Sequence, residues 1–169
     1  MKLKHDITVS LFQNDVMIAL FSGEDNTAKA RVNPQIPVAF AITNRLPHAV
    51  VVYLTVGTRH VSTVMESMQP VGYVVHAGQE ISISHYRHND VEDGNIMWDT
   101  GEVVTFAVHG IDEHTVGPDH ASITDAPTAL VEQPVWYRLG QAPVVKRFRQ
   151  QISVNPEPLC EITITQVIW

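Results

Sequence analysis

A chain of 169 residues that is 44% hydrophobic and 17% charged can bury one core, is short for two ordinary domains, and is too apolar to stay disordered. Its net charge of −7, with nine histidines counted neutral, opposes nucleic acid and anionic membranes near neutrality, so neither is expected as a partner. A single cysteine allows no intrachain disulfide, and the longest apolar runs, VMIALF and AVVVYL, are far too short to span a bilayer.

The opening segment, MKLKHDITVSLF, has basic residues but no continuous apolar stretch, so no signal peptide is expected and cytosolic synthesis is the default. Ile7, Val9 and Leu11 then alternate with Thr8 and Ser10, predicting a strand with one buried face. Val38, Phe40 and Ile42 repeat the pattern, followed by Val50, Val52, Leu54 and Val56. A short link with Asn44 and Pro47 joins these two runs, and together they predict a hairpin. Residues 60–68 fit a helical face through Val61, Val64, Met65 and Met68, but VSTV fits a strand equally well. Ile81 and Ile83 alternate with Ser82 and Ser84, and Val104, Phe106 and Val108 follow later.

Residues 111–133 are the longest weakly patterned stretch and are expected to form an excursion from the body. Within them Asp125-Ala126-Pro127 reads as a helix N-terminus, giving two turns before Pro134. The final run places Cys160, Ile162, Ile164 and Ile168 on one face, so its thiol reads as buried and inert. ITITQVIW carries no charged side chain and is an aggregation hazard unless its edge is paired. Turn signals punctuate these runs at Ser22-Gly23, Asn33-Pro34, Ala77-Gly78, Asp93-Gly94 and Asn155-Pro156. The expectation is an all-β, antiparallel β-sandwich of the jelly-roll or Ig-like kind. It would be one domain over residues 1–169, with at most one or two short helices.

The densest chemistry lies in HYRHNDVEDGNIMWD, which holds two imidazoles and four carboxylates. Strand phase puts His85 on the side of Ile81 and Ile83 and sends His88 the other way, which opposes a shared metal. The acidic run fails as a calcium loop, because Val91 and Thr100 fall where oxygen donors of charge are needed. A hairpin turn at Asp93-Gly94 accounts for the same residues. His109, His114 and His120 sit in HGIDEHTVGPDH, and with His85 or His88 they form the candidate zinc set. Gly110, Gly117 and Pro118 deny them the helix that a zinc-protease motif requires. No nucleophile elbow, phosphate loop or other cofactor motif occurs, so no cofactor and no catalytic residue are assigned.

Two further groups are candidates for contact. Lys146, Arg147 and Arg149 form a basic cluster suited to an acidic protein partner, and Trp169 offers a terminal aromatic anchor. Trp136 and Tyr137 are candidate stacking platforms for carbohydrate or lipid head groups. With low charge and no recognisable catalytic motif, the leading expectation is a non-enzymatic subunit of a larger assembly, with other copies as partners. A virion component such as a minor capsid, decoration or tail-associated protein is its concrete form. A carbohydrate- or lipid-binding module comes second, and a metal-dependent enzyme using the His-rich loops third.

Overall fold

The computed structural model describes residues 6–64, 68–88, 91–111, 128–139 and 142–167. Among them the chain is all-β, with no helix and no closed barrel, and its sheets are consistent with a sandwich. The first sheet contains β1 (Ile7–Gln13), β2 (Val16–Ile18), β5 (Ala39–Asn44) and β10 (Glu80–Ile83), in the order β10-β5-β1-β2. The second contains β3 (Leu20–Ser22), β4 (Thr27–Ala30), β6 (Val50–Val56), β7 (Arg59–His60), β9 (Gly72–Val75), β13 (Val104–Gly110), β14 (Thr128–Leu139), β15 (Ala142–Ser153) and β16 (Cys160–Gln166). Its order is β15-β14-β9-β6-β13-β16-β4-β3, with β7 paired to β6. A small third sheet joins β8 (Ser62–Thr63), β11 (His85–His88) and β12 (Val91–Asn95).

Most pairings are antiparallel; β4 with β16, β9 with β14 and β8 with β11 are parallel. The predicted alternation decides which side chains meet. Ile7, Val9 and Leu11 from β1 and Phe40 and Ile42 from β5 form one wall of the core. Val52, Leu54, Phe106, Val108, Ile162 and Ile164 from β6, β13 and β16 form the other. The Phe40 and Phe106 rings meet edge to face across the two sheets at 5.3 Å. Burying each such side chain contributes on the order of 1.5–3 kcal/mol, which is why the polar residues between them face outward.

The predicted hairpin between the second and third apolar runs does not form. β5 pairs with β1 and β10, whereas β6 pairs with β13, β9 and β7, so the link 45–49 crosses from one sheet to the other. Asn44, which is fully buried, holds this corner. Its Nδ2 donates to the carbonyls of His48 and Val75, both at 2.9 Å, and its Oδ1 accepts from the Leu46 amide at 2.9 Å. Period-two patterning makes both runs strands, but it carries no information on whether consecutive strands share a sheet.

The helical readings also give way. Arg59–His60 and Ser62–Thr63 are strand, and Met65 lies outside the described residues. The last part of the weakly patterned stretch, from Thr128, is strand that runs on through Pro134 to Leu139, so residues 128–133 form no helical turn, while Asp125-Ala126-Pro127 lies outside the described residues. The C-terminal run is no edge: β16 sits between β13 and β4, and Cys160 is buried there as predicted.

A second, smaller apolar cluster lies on the outer face of the large sheet. Val51 and Val74 meet Val131, Ile152 and Val154, with Tyr53 and Ile111 packed against them. Gly72 makes this approach possible, because a Cβ there would sit 2.4 Å from Val51 Cγ1 and 3.1 Å from the Tyr53 ring. The cluster anchors the base of the hairpin formed by β14 and β15. Those strands pair over twelve residues each, yet β9 meets β14 only at Val131 and Glu132. Pro134 follows two residues later without an N–H to continue the ladder. From Gln133↔Phe148 to Leu139↔Ala142 the hairpin therefore pairs with no third strand among the described residues.

Candidate functional site

In the HYRHNDVEDG stretch β11 and β12 of the small sheet pair antiparallel from His88↔Val91 onward, so Asp93-Gly94 lies within β12 and is not a turn. His85 faces Asn95 but Arg87 faces Glu92, so β12 carries one extra residue across that interval. Gly94, at φ +78°, supplies the left-handed conformation that such a bulge needs. Asp93-Gly94 thus marks a bulge where the sequence suggested a turn; the same residue pair serves both because each requires positive φ.

On β11 the alternation that put His85 inward and His88 outward breaks. Tyr86 and Arg87 are both buried, and the His88 side chain, 13% exposed, is more enclosed than that of His85 at 36%. Parallel pairing of β8 with β11 sets Thr63 beside His88. The result is a hydroxyl–imidazole–carboxylate chain. Thr63 Oγ1 lies 2.6 Å from His88 Nδ1, and His88 Nε2 lies 3.1 Å from Asp93 Oδ2. With the proton on Nε2, the imidazole donates to Asp93 and accepts from the Thr63 hydroxyl. Arg59 Nη2 reaches the same Asp93 oxygen at 3.4 Å, and its guanidinium lies over the Tyr86 ring at 3.6 Å. Burial pushes the Tyr86 phenol up; Arg59 opposes this, and Glu102 and Asp99 add to it.

Such a chain is the arrangement that activates a hydroxyl nucleophile, but its position argues for a structural role. Thr63 is only 3% exposed. The neighbouring cavity, about 30 Å³, is lined by Tyr73, Ser84, His85, Arg87 and Glu92 and not by Thr63 or His88. A larger one of about 140 Å³ opens beside Asn14, Asp15 and Asn95, below the several hundred Å³ typical of small-molecule sites.

The three candidate zinc ligands among the described residues, His85, His88 and His109, each have a different set of partners. His85 lies beside Ser84, its Nδ1 2.8 Å from the hydroxyl, with Glu92 at 3.9 Å, whereas His88 is taken by Thr63 and Asp93. His109 is on β13 in another sheet, where its Nδ1 donates to the Asn155 carbonyl at 2.8 Å and its ring meets Tyr53 edge to face. His114 and His120 lie outside the described residues. Among the described residues no three His, Cys, Asp or Glu side chains gather as a metal site.

Trp136 and Tyr137 are neighbours on β14 in an unbroken register, opposite Val145 and Val144. By register they fall on opposite faces of the hairpin. Lys146, Arg147 and Arg149 are on β15, where Arg147 and Arg149 share a face, opposite Pro134 and Glu132. The side chains of these five residues are not among those described, and Trp169 lies outside the described residues altogether. Sequence reasoning missed Thr63 and Arg59, because only the parallel β8–β11 pairing and the bulge bring them to His88 and Asp93.

No helix among the described residues is long and apolar enough to cross a membrane. No protein family, curated protein or solved structure matches the chain.

Proposed function

We propose that the chain is a structural subunit of a larger assembly, a non-enzymatic part whose work is done by contact with neighbouring protein. A virion component is the concrete case, by analogy with the sandwich domains that build capsids. The observation that carries the reading is the β14–β15 hairpin, of which seven register pairs run past the last residue that β9 holds. A two-stranded ribbon is marginal in water by itself, so a ribbon of this length gains most from a surface to lie on. The enclosed Thr63 hydroxyl, which does not line the cavity beside it, favours contact over catalysis.

Light scattering of the full chain across a concentration series at pH 7.5 and 5.5 tests the proposal. Association beyond the monomer is expected. Its extent should rise with protein concentration. A protein that stays monomeric throughout and binds no particle from its source would overturn the proposal.

A further inference from the structure

We propose that the β14–β15 hairpin is an arm that docks on a second copy of this chain, along the strip formed by β2 and β3. The inference rests on the assembly reading and names its partner and both surfaces. On the arm, the register sorts residues into two sets. Val135, Tyr137 and Leu139 share a face with Val131, and their opposite numbers are Lys146, Val144 and Ala142. Phe148, opposite Gln133, belongs to the same face. This is the face that packs at the base, where Val131 and Ile152 are buried in the outer cluster. Beyond the base it continues as a mainly apolar run past the last pair with β9. Arg138, Arg147 and Arg149 fall on the other face.

The receiving strip is where two sheets end side by side in the sequence. β2 closes the first sheet and β3 closes the second. Val16 and Met17 on β2 and Phe21 on β3 are 62%, 63% and 59% exposed, an unusual concentration of bare apolar surface on edge strands. Asp15, Glu24 and Asp25 flank them, all exposed, alongside the exposed cations Lys29 and Arg31.

Charge selects the second copy as occupant. Residues 128–153 hold four of the eleven basic residues and one of the eighteen acidic ones, so the arm carries +3 and the rest of the chain −10. An arm meeting another body thus removes part of the repulsion that two −7 chains would otherwise feel. The prolines favour docking by face over strand addition. Pro134 and Pro143 deprive the ribbon of N–H donors near its base and its tip. The arm and β3 lie at opposite ends of the large sheet's strand order, and β2 closes the other sheet. The contact is therefore head to tail, and it propagates into a ring or a filament.

Complementation between two full-length variants tests this. V135E/Y137E keeps the strip and spoils the arm's apolar face, whereas M17E/F21E keeps the arm and spoils the strip. Wild type should form species larger than a dimer in sedimentation velocity, and each variant alone should associate about tenfold or more weakly. Mixed in equal amounts, they should give a dimer that grows no further, since one intact arm then meets one intact strip. That result also shows both variants to be folded. Absence of a mixed dimer, when both variants retain the wild-type circular dichroism spectrum, overturns the inference. Wild type that stays monomeric yet binds a particle of other proteins also overturns it, while leaving the assembly reading in place. If no such binding occurs either, both fall.

Discussion

Replacing Asn44 by alanine probes the corner on which the sandwich depends. The side chain satisfies three backbone groups at 2.9 Å, the His48 and Val75 carbonyls and the Leu46 amide. Alanine leaves all three without that partner, in a site where Asn44 itself is fully buried. A hydrogen bond contributes a net of about 1 kcal/mol, and an orphaned buried partner costs about 1–3. The Val75 carbonyl belongs to the buried end of that range, while the other two bonds are part-buried. The expected loss is about 3 kcal/mol, a large share of the 5–15 kcal/mol by which a domain is usually stable. For a chain of this size it corresponds to a melting temperature lower by about 6–12 °C. Urea unfolding followed by far-ultraviolet circular dichroism and by the fluorescence of buried Trp98 measures it directly. The midpoint should fall with little change in slope, because the surface exposed on unfolding is the same. A loss below about 1 kcal/mol would refute the view that this one amide closes the crossing between sheets.

Three further outcomes follow from the same structure. Gly72→Ala should destabilise by about 1–3 kcal/mol, because the added methyl meets Val51 in the outer cluster; an unchanged unfolding midpoint would show that β9 shifts freely. Thr63→Val should cost about 1–2 kcal/mol by leaving His88 Nδ1 without its donor, and clearly more than Asp93→Asn, whose side chain is 59% exposed; the reverse order would refute the buried hydroxyl's role. Burial pushes the Cys160 thiol and the Tyr53 phenol up. Their share of stability is therefore fully present below their ordinary values and is lost as pH rises through the raised folded ones. Cys160 should accordingly resist alkylation in the folded protein and react at the rate of a free thiol in denaturant, and equal rates would contradict its burial.

The hydrophobic rhythm made the strands legible. Ile7, Phe40, Val52, Phe106 and Ile162 all lie in the core where alternation placed them, because a strand has only two faces and water selects between them. The candidate site was less legible. Asp93-Gly94 announced a residue pair suited to positive φ, but a turn and a bulge make the same demand, and the exposures of His85 and His88 are the reverse of those expected. Residues 128–133 gave no strand signal, since a ribbon paired mainly with itself is under no pressure to alternate strictly.

By itself the sequence determined the all-β class, the inward residues of the sandwich and the burial of Cys160, since each depends on side chains a few positions apart. Only the tertiary structure decided that β5 and β6 belong to different sheets, that Thr63 joins His88 and Asp93, and that the long hairpin leaves its sheet after two residues. Those outcomes turn on which distant backbone edges find one another, and a pairing that spans tens of residues leaves no periodic mark in the chain.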